Sequence, residues 1–442
     1  MENGTIVIET DTNNIDLHWK MHYPVITRKR DLFSYYTPWK GAGHETSSFF
    51  IKEEMYESDL SIQCDLVYTL GIIFWAAAFA TTYLLNKGVP SGMVGFLLAL
   101  AGLCSCLSQP VLASLADRAE KFVLTKMLLT MSVLCSVCIL LQLLPGISIM
   151  LMAVLYMVSI WSSDAMVSLL NAISVAYNNA GYFVDYGAAR GIGAVASAVS
   201  SLIIGWVIAK FGTTWMLVLL LAARLGSMIA LAGFPEIQQS RSAVSADHRS
   251  LSIGAFFGQY RWYCLSLLGI AFLGMYHAMT ENYMIVIMNA LGGNSSHVGV
   301  ALFIAAMVAA PVIFFFEKIR KVFRDTTVLK IAAVSFFIKA VGFYFAGNIQ
   351  TIYLLQFFQI SSYALLAPAQ VYYAKEKVRD NDMVKGQAFI TAAYALGCAA
   401  GNFAGGQLLS QGAGAILLAG ICMAAAGTAI VFATVTKSDF CL

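Results

Sequence analysis

Three ionisable side chains lie within long apolar runs of the sequence, where together they could take up, hold and release a proton. His277 and Glu281 are four residues apart in the run 262–288, so a helix would place them on one face, one turn from each other. Lys339 lies in a later apolar run. Because a charged side chain in hydrocarbon is costly unless it faces protein or water, we expect Lys339 to face an acid, and Glu281 is the candidate. A structural ion pair is the alternative to a proton-coupling role.

A second group of side chains has the chemistry to bind a polar solute. Trp161, Asp164 and Asn171 fall on one face of a helix by their spacing. An indole ring beside a carboxylate and an amide suits a polyhydroxylated ring, since the apolar sugar face stacks and the hydroxyls form hydrogen bonds. The alternative is that Trp161 faces lipid and Asp164 is a local feature of the helix.

Neutral amides and phenols form a third group, later in the chain. They are Gln356, Gln359 and Tyr363 on one helical face, with Tyr394 and Asn402 in the next apolar run. Such groups can recognise a sugar or a nucleoside without requiring a charged ligand. We therefore include the first three among the predicted solute-binding residues.

The composition indicates a membrane protein without an active site for bond chemistry. Of 442 residues, 59% are hydrophobic and only 12% are charged, against about 25% charged in a soluble domain. Most of the nine cysteines lie inside apolar runs and read as small buried hydrophobic side chains, so we expect no metal site. Phosphate loops, nucleophile elbows and zinc motifs are also missing from the sequence. We expect neither an enzyme nor a nucleic-acid-binding protein, and no cofactor.

Twelve apolar runs follow a polar N-terminal region, and each has about the 20 residues that cross a bilayer as a helix. We number them spans 1 to 12. Their limits are 64–86, 91–114, 122–144, 149–176, 190–210, 213–234, 260–288, 296–316, 327–346, 350–373, 386–409 and 412–435. The sequence therefore predicts an all-α membrane protein with twelve transmembrane helices.

Lysine and arginine are concentrated in alternate connections between the spans, while the connections between those hold only Lys87 and Lys210. Because positively charged connections stay in the cytoplasm, this predicts that both termini are cytoplasmic in a multi-pass protein of the cell membrane. The basic residues concerned are Arg118, Lys121, Lys126, Arg190, Arg241, Arg249, Lys318, Arg320, Lys321, Arg324, Lys375, Lys377, Arg379 and Lys385.

The chain divides at its longest polar connection after the N-terminal region, with six spans on each side. Arg190-Gly191 opens span 5 and Lys385-Gly386 opens span 11, and small residues follow both pairs. Two six-helix halves related as internal repeats are a transporter architecture with its site between them. The predicted parts are a partly disordered cytoplasmic extension (1–63), the halves (64–234 and 260–435), a central cytoplasmic loop (235–259) and a tail (436–442).

The connection after span 2, residues 108–118, resembles the Gly-x-Leu-x-Asp-Arg motif of the major facilitator superfamily, with Ala113 where the first glycine is usual. The resemblance implies the two-half major facilitator fold, with Asp117 and Arg118 in a cytoplasmic gating relay. Residues 185–193, and 368–373 followed by 385–388, are similar to the lactose, phenylpropionate and nucleoside permease group. The resemblance covers about 64–435 and implies a monomer.

Carried over residue by residue, the permease pattern is matched in part. Arg190 stands where lactose permease has an arginine that helps to bind sugar, and Lys339 where it has an arginine implicated in proton release. Asn171 falls near the partner carboxylate position, as a neutral amide. In span 10 the permease lysine, histidine and glutamate are replaced by Gln356, Gln359 and Tyr363, so galactoside specificity does not carry over.

Together these observations predict a secondary active transporter that couples uptake of a small polar solute, a saccharide or a nucleoside, to protons by alternating access. Its expected partners are the solute, protons and the lipid bilayer. The sequence leaves open an efflux antiporter of small organic compounds and a non-transporting membrane sensor.

Overall fold

A computed structural model describes residues 77–118, 124–179, 186–233 and 252–437, and within these ranges the regular structure is helical. Eleven of the described helices are long and apolar enough to cross a membrane. Span 1 lies mostly outside the described residues, and its described end is the helix Ala80–Asn86. The predicted extension 1–63 and most of the central loop also lie outside them.

The described spans begin and end within four residues of their predicted limits. Spans 7 and 10 differ from the other described spans because each is divided into two separate α-helices. The observed helices are Ser91–Arg118, Leu124–Gln142, Ile149–Asn179, Tyr186–Phe211, Thr213–Ala232, Arg261–Glu281 with Met284–Ala290, Ser295–Phe314, Asp325–Phe345, Ile349–Gln356 with Tyr363–Lys377, Met383–Leu408 and Ala413–Thr434. A short helix, Ile253–Gln259, precedes span 7.

Equivalent connections in the two halves each contain a glycine with a positive φ. Gly212 is the only residue between spans 5 and 6, and its φ of 89° lies in the region that glycine adopts without steric cost. Gly412, which begins span 12, has a φ of 91°. This similarity agrees with the internal repeat that the sequence indicates.

The connection between spans 8 and 9 is fastened by Arg320. Its guanidinium donates to both carboxylate oxygens of Asp325, at 2.9 and 3.0 Å, and lies 3.6 Å above the Tyr372 ring. Glu317 adds a carboxylate 3.6 Å away. Hydrogen bonding to Asp325 raises the pKa of Arg320, so the guanidinium stays charged and joins the ends of spans 8, 9 and 10.

The halves meet where spans 2 and 5 of the first pack against spans 11 and 8 of the second. At each crossing two glycines face each other, Gly95 with Gly406 and Gly205 with Gly299. A Cβ added to Gly95 would lie 2.6 Å from the Gly406 Cα, so only glycine permits this approach. Both crossings lie at the end of the bundle that the lysine and arginine pattern predicts to be extracellular, which we call the outer end. The halves are therefore in contact at the outer end.

A cavity of about 370 Å³ opens at the outer end between the two halves. Its lining is mostly neutral and polar. The residues are Thr82, Leu85 and Asn86 from the first half and Ile285, Asn289, Asn294 and Ser295 from the second.

Gly95→Leu should force spans 2 and 11 apart at the outer end, because overpacking of this kind costs roughly 1–3 kcal/mol. We expect faster labelling of a reporter cysteine at the fully buried Met288 (Met288→Cys) by a polar maleimide in nanodiscs. Gly414→Leu is the control, since a Cβ there would meet nothing within 4 Å. Equal labelling rates in the two variants would contradict the close approach.

Candidate functional site

The two interrupted spans, 7 and 10, mark the site. Span 7 stops at Glu281, forms a turn at Asn282-Tyr283 and continues as Met284–Ala290. Span 10 leaves the α-helix for a 3-10 turn at Phe357–Ile360 and resumes at Tyr363. Irregular backbone at membrane depth is tolerated only where protein or water satisfies it, and transporters build their binding sites from such broken helices.

Lys339 of the continuous span 9 connects the two interruptions. Its Nζ donates to Glu281 Oε1 at 3.3 Å and to Gln359 Oε1 at 2.7 Å. The Lys339 side chain is 1% exposed, and that of Glu281 is 16% exposed. The ammonium group is thus held by one carboxylate and one neutral amide. Of these three residues Glu281 is the most exposed, since Gln359 is 5% exposed.

His277 lies one turn before Glu281 and is surrounded by rings. Its imidazole stacks on Tyr363, with centroids 4.8 Å apart and planes 1° apart, and its centroid is 5.9 Å from that of Phe336 and 6.4 Å from that of Tyr394. Its Nδ1 is buried without a hydrogen-bond partner. A buried nitrogen without a partner is unfavourable, so this imidazole has an unused site for a proton or a ligand group.

The predicted solute face of span 4 is anchored to span 2. Trp161 Nε1 donates to Ser108 Oγ at 3.1 Å, and Gln109 Nε2 lies 3.5 Å from the backbone oxygen of Asp164. The Asp164 side chain is half-buried, and its carboxylate makes no hydrogen bond or ion pair with the described residues. It therefore remains able to accept hydrogen bonds from a solute.

Arg224, the second buried cation of the spans, is not paired with an acid among the described residues. Its guanidinium donates to Ser163 Oγ at 2.6 Å and to Met166 Sδ at 3.4 Å, and its side chain is 2% exposed. These contacts fasten span 6 to span 4 inside the first half. We assign Arg224 a packing role, distinct from that of Lys339.

The other predicted residues fall into three groups. Gln356 is fully buried, with neither amide atom hydrogen-bonded. Asn171 is half-buried. The side chains of Asp117, Arg118 and Arg190 are outside the part of the structure that is described.

Two residues that sequence reasoning did not select complete the surroundings of the site. Asn282 Nδ2 donates to Asn402 Oδ1 at 2.6 Å, and the Tyr283 hydroxyl donates to the Asn402 backbone oxygen at 2.5 Å. The available signal was the uninterrupted polar triplet Glu281-Asn282-Tyr283 inside an apolar run.

A multi-span helical protein with a buried ion pair at two broken helices has the architecture of a membrane transporter, and comparison with known proteins gives the family. Residues 71–418 match the MFS_1 like family, which covers most of the chain. The chain therefore belongs to this family of the major facilitator superfamily. It is a multi-pass membrane transporter and not an enzyme.

The structure is similar to solved transporters of this fold at low sequence identity. A mutant of the nucleoside transporter NupG has a TM-score of 0.72 at 12% identity, covering 86% of this chain and all of that one. NupG without that mutation gives 0.67 at 13% identity, covering 85% and 98%. An inward-facing, occupied bacterial homolog of the human lysosomal transporter Spinster gives 0.60 at 14%, covering 86% and 97%. No curated protein matches the sequence.

Removing only the acid of the ion pair should destabilise the protein more than removing both charges. Glu281→Gln leaves the buried Lys339 ammonium with neutral partners, and breaking a buried pair in this way costs about 3–5 kcal/mol. Adding Lys339→Met removes the uncompensated charge and should restore most of the loss in apparent Tm. A double variant no more stable than Glu281→Gln would contradict the pairing.

Proposed function

We propose that this transporter takes up a small polar solute, a saccharide or a nucleoside, together with protons, by alternating access of its two halves. The observation that carries this proposal is the contact of Lys339 with Glu281 and Gln359 at two broken spans. A buried ammonium that depends on one partly exposed carboxylate is sensitive to a single proton on that carboxylate.

The proposed coupling step begins with Glu281. A proton from the outer side neutralises the carboxylate, so Lys339 loses its ion pair and keeps only the amide of Gln359 as a partner. The free energy of this rearrangement biases the packing of spans 7 and 10, which hold the two acceptors. His277, one turn away with an unpaired Nδ1, shares the task of holding the proton.

The proposed solute site lies between the halves, with the half-buried carboxylate of Asp164 and the indole of Trp161 on one side. The further proposed solute-binding residues are Gln356, Gln359, Tyr363, Asn171 and Arg190. Gln359 also links the site to Lys339. A carboxylate without a protein partner can accept two hydroxyl groups of a sugar or a ribose while the indole stacks on the ring. The similar fold of the nucleoside transporter NupG supports the nucleoside alternative.

Several features that the sequence predicts belong to the same proposal. Both termini are cytoplasmic, the protein acts as a monomer in the cell membrane, and Asp117 with Arg118 forms the cytoplasmic gate. The halves are 64–234 and 260–435, joined by the loop 235–259.

The coupling role of Glu281 is tested by transport in vesicles with an imposed proton gradient. Glu281→Gln should abolish uphill accumulation of the solute and leave solute exchange, because exchange does not require net proton movement. Glu376→Gln, which removes an exposed acid outside the site, is the matched control.

Undiminished accumulation by Glu281→Gln would contradict the proposal. The direction of the solute-dependent pH change distinguishes symport from efflux antiport. Solute uptake that alkalinises the medium supports symport, and solute entry that acidifies it supports the antiporter. A protein that exchanges no solute in either direction is the sensor.

Asp164→Asn should weaken solute binding without changing the stability of the free protein, since the carboxylate has no hydrogen-bond or ion-pair partner to lose among the described residues. A thermal-shift screen of sugars and nucleosides identifies the solute, because a bound ligand raises the apparent Tm by mass action. We expect at least a tenfold higher KM in the variant, which corresponds to about 1.4 kcal/mol of lost binding free energy. An unchanged KM would remove Asp164 from the solute site.

A further inference from the structure

Asn402 of span 11 contacts both residues that form the turn in span 7. Its side-chain Oδ1 accepts a hydrogen bond from Asn282 Nδ2 at 2.6 Å, and its backbone oxygen accepts one from the Tyr283 hydroxyl at 2.5 Å. The Tyr283 ring also packs on Gly405, where a side chain would collide with it. The turn is therefore attached to span 11 at two successive residues.

The same residue of span 11 also lies against the other half of the protein. A Cβ added to Gly95 of span 2 would lie 2.7 Å from the Asn402 backbone oxygen, and Gly406, one turn further along, makes the glycine crossing with Gly95. Asn402 thus lies between the turn in span 7 and the contact that closes the outer end.

The outer piece of span 7, Met284–Ala290, is itself part of the closed outer end. Met284 and Met288 are fully buried, in one apolar cluster with Tyr83, Ile208 and other residues of the first half. Ile285 and Asn289 line the outer cavity. When the halves separate at the outer end, this helix must leave its apolar contacts with the first half. The chain is non-helical at Asn282-Tyr283 before this helix and at 291–294 after it, and the turn at Asn282-Tyr283 is the one that joins it to the rest of span 7.

We propose that Asn402 is a positioning residue of the outer gate, which fastens the turn of span 7 and so holds the helix Met284–Ala290 against the first half in the closed state. Opening at the outer end breaks the contact between Asn282 and Asn402. This inference goes beyond the proposed function, because it depends neither on the identity of the solute nor on proton coupling.

The test measures opening of the outer end in the absence of solute and of a proton gradient. The full-length protein carries Met288→Cys as a reporter in nanodiscs, because Met288 is fully buried in the closed state. Peptide mapping gives its rate of labelling by a polar maleimide. Asn402→Ala and Asn282→Ala should each raise the rate about fivefold, which is the effect of losing one ordinary hydrogen bond from the closed state. The double variant should label no faster than either single variant, because both substitutions remove the same bond.

Asn402→Asp is the conservative variant, because a carboxylate oxygen can still accept from Asn282, and it should label more slowly than Asn402→Ala. Ser410→Ala, an exposed position at the same end, is the control and should label at the parent rate. Tyr283→Phe keeps the ring and removes only the hydroxyl. It provides an independent variant if Asn402→Ala does not fold, and it should also raise the rate.

The labelling rate of the native Cys135, which is 1% exposed in the first half, distinguishes opening of the outer gate from a general loosening of the fold. Release of the gate leaves its labelling unchanged, whereas partial unfolding raises it. Unchanged labelling at position 288, additive effects of the two alanine substitutions, or parallel increases at Cys135 would each overturn the proposal. Because no solute or gradient is present, these outcomes are independent of the transport measurements on Glu281→Gln.

Discussion

The rest of the site depends on the burial of one ammonium group, that of Lys339. A cation this deep in a membrane protein requires a counter-charge and filled hydrogen-bonding positions, and the neighbouring continuous helices provide neither. The carboxylate comes from the last residue before the turn in span 7, and the amide comes from the 3-10 turn of span 10. Each interruption of the helical backbone therefore lies beside a residue that accepts a hydrogen bond from Lys339.

The contact between the halves at the outer end depends on the absence of side chains, whereas the ion pair depends on charged side chains. Glycines at both crossings allow the backbones of the two halves to touch, and no charged group is involved there. Glu281, Asn282 and Tyr283 are consecutive, so the residue that pairs with Lys339 is directly followed by the two that contact Asn402. A change in the ion pair and a change in the outer contact therefore act on the same turn of the chain.

The sequence was sufficient for the fold because bilayer thickness limits the length of an apolar helix, and every described span lies close to its predicted limits. It did not indicate the interruptions. No glycine or proline occurs at Asn282-Tyr283 or at 357–362, and Pro368, the residue that a sequence reading would choose for a kink, lies inside the continuous helix Tyr363–Lys377. The turns arise from tertiary contacts that a linear pattern does not contain.

Side-chain roles were predictable only where free energy restricts the choice of partner. The free-energy cost of burying the Lys339 amine predicted an acidic partner, and in the structure that partner is Glu281. A neutral glutamine carries no such restriction, so the hydrogen bond of Gln359 to Lys339 had no sequence signal, and the sequence predicted Gln359 only as a solute-binding residue. The same limit applies to Arg224, whose hydroxyl and thioether partners, Ser163 and Met166, give no charge pattern to search for.

The two halves differ in how their buried charges are paired, and this difference supports a separate role for each half in the proposed mechanism. In the second half Glu281 and Lys339 form an ion pair, so in the proposed mechanism a proton added to Glu281 changes the internal packing of that half. In the first half Asp164 has no carboxylate partner among the residues that the structure describes, so we propose that its hydrogen bonds are made to the solute. A solute held by Asp164 and a proton held by Glu281 would then lie in different halves of the protein. Neither needs to touch the other, because each acts on the same equilibrium between two packings of the halves.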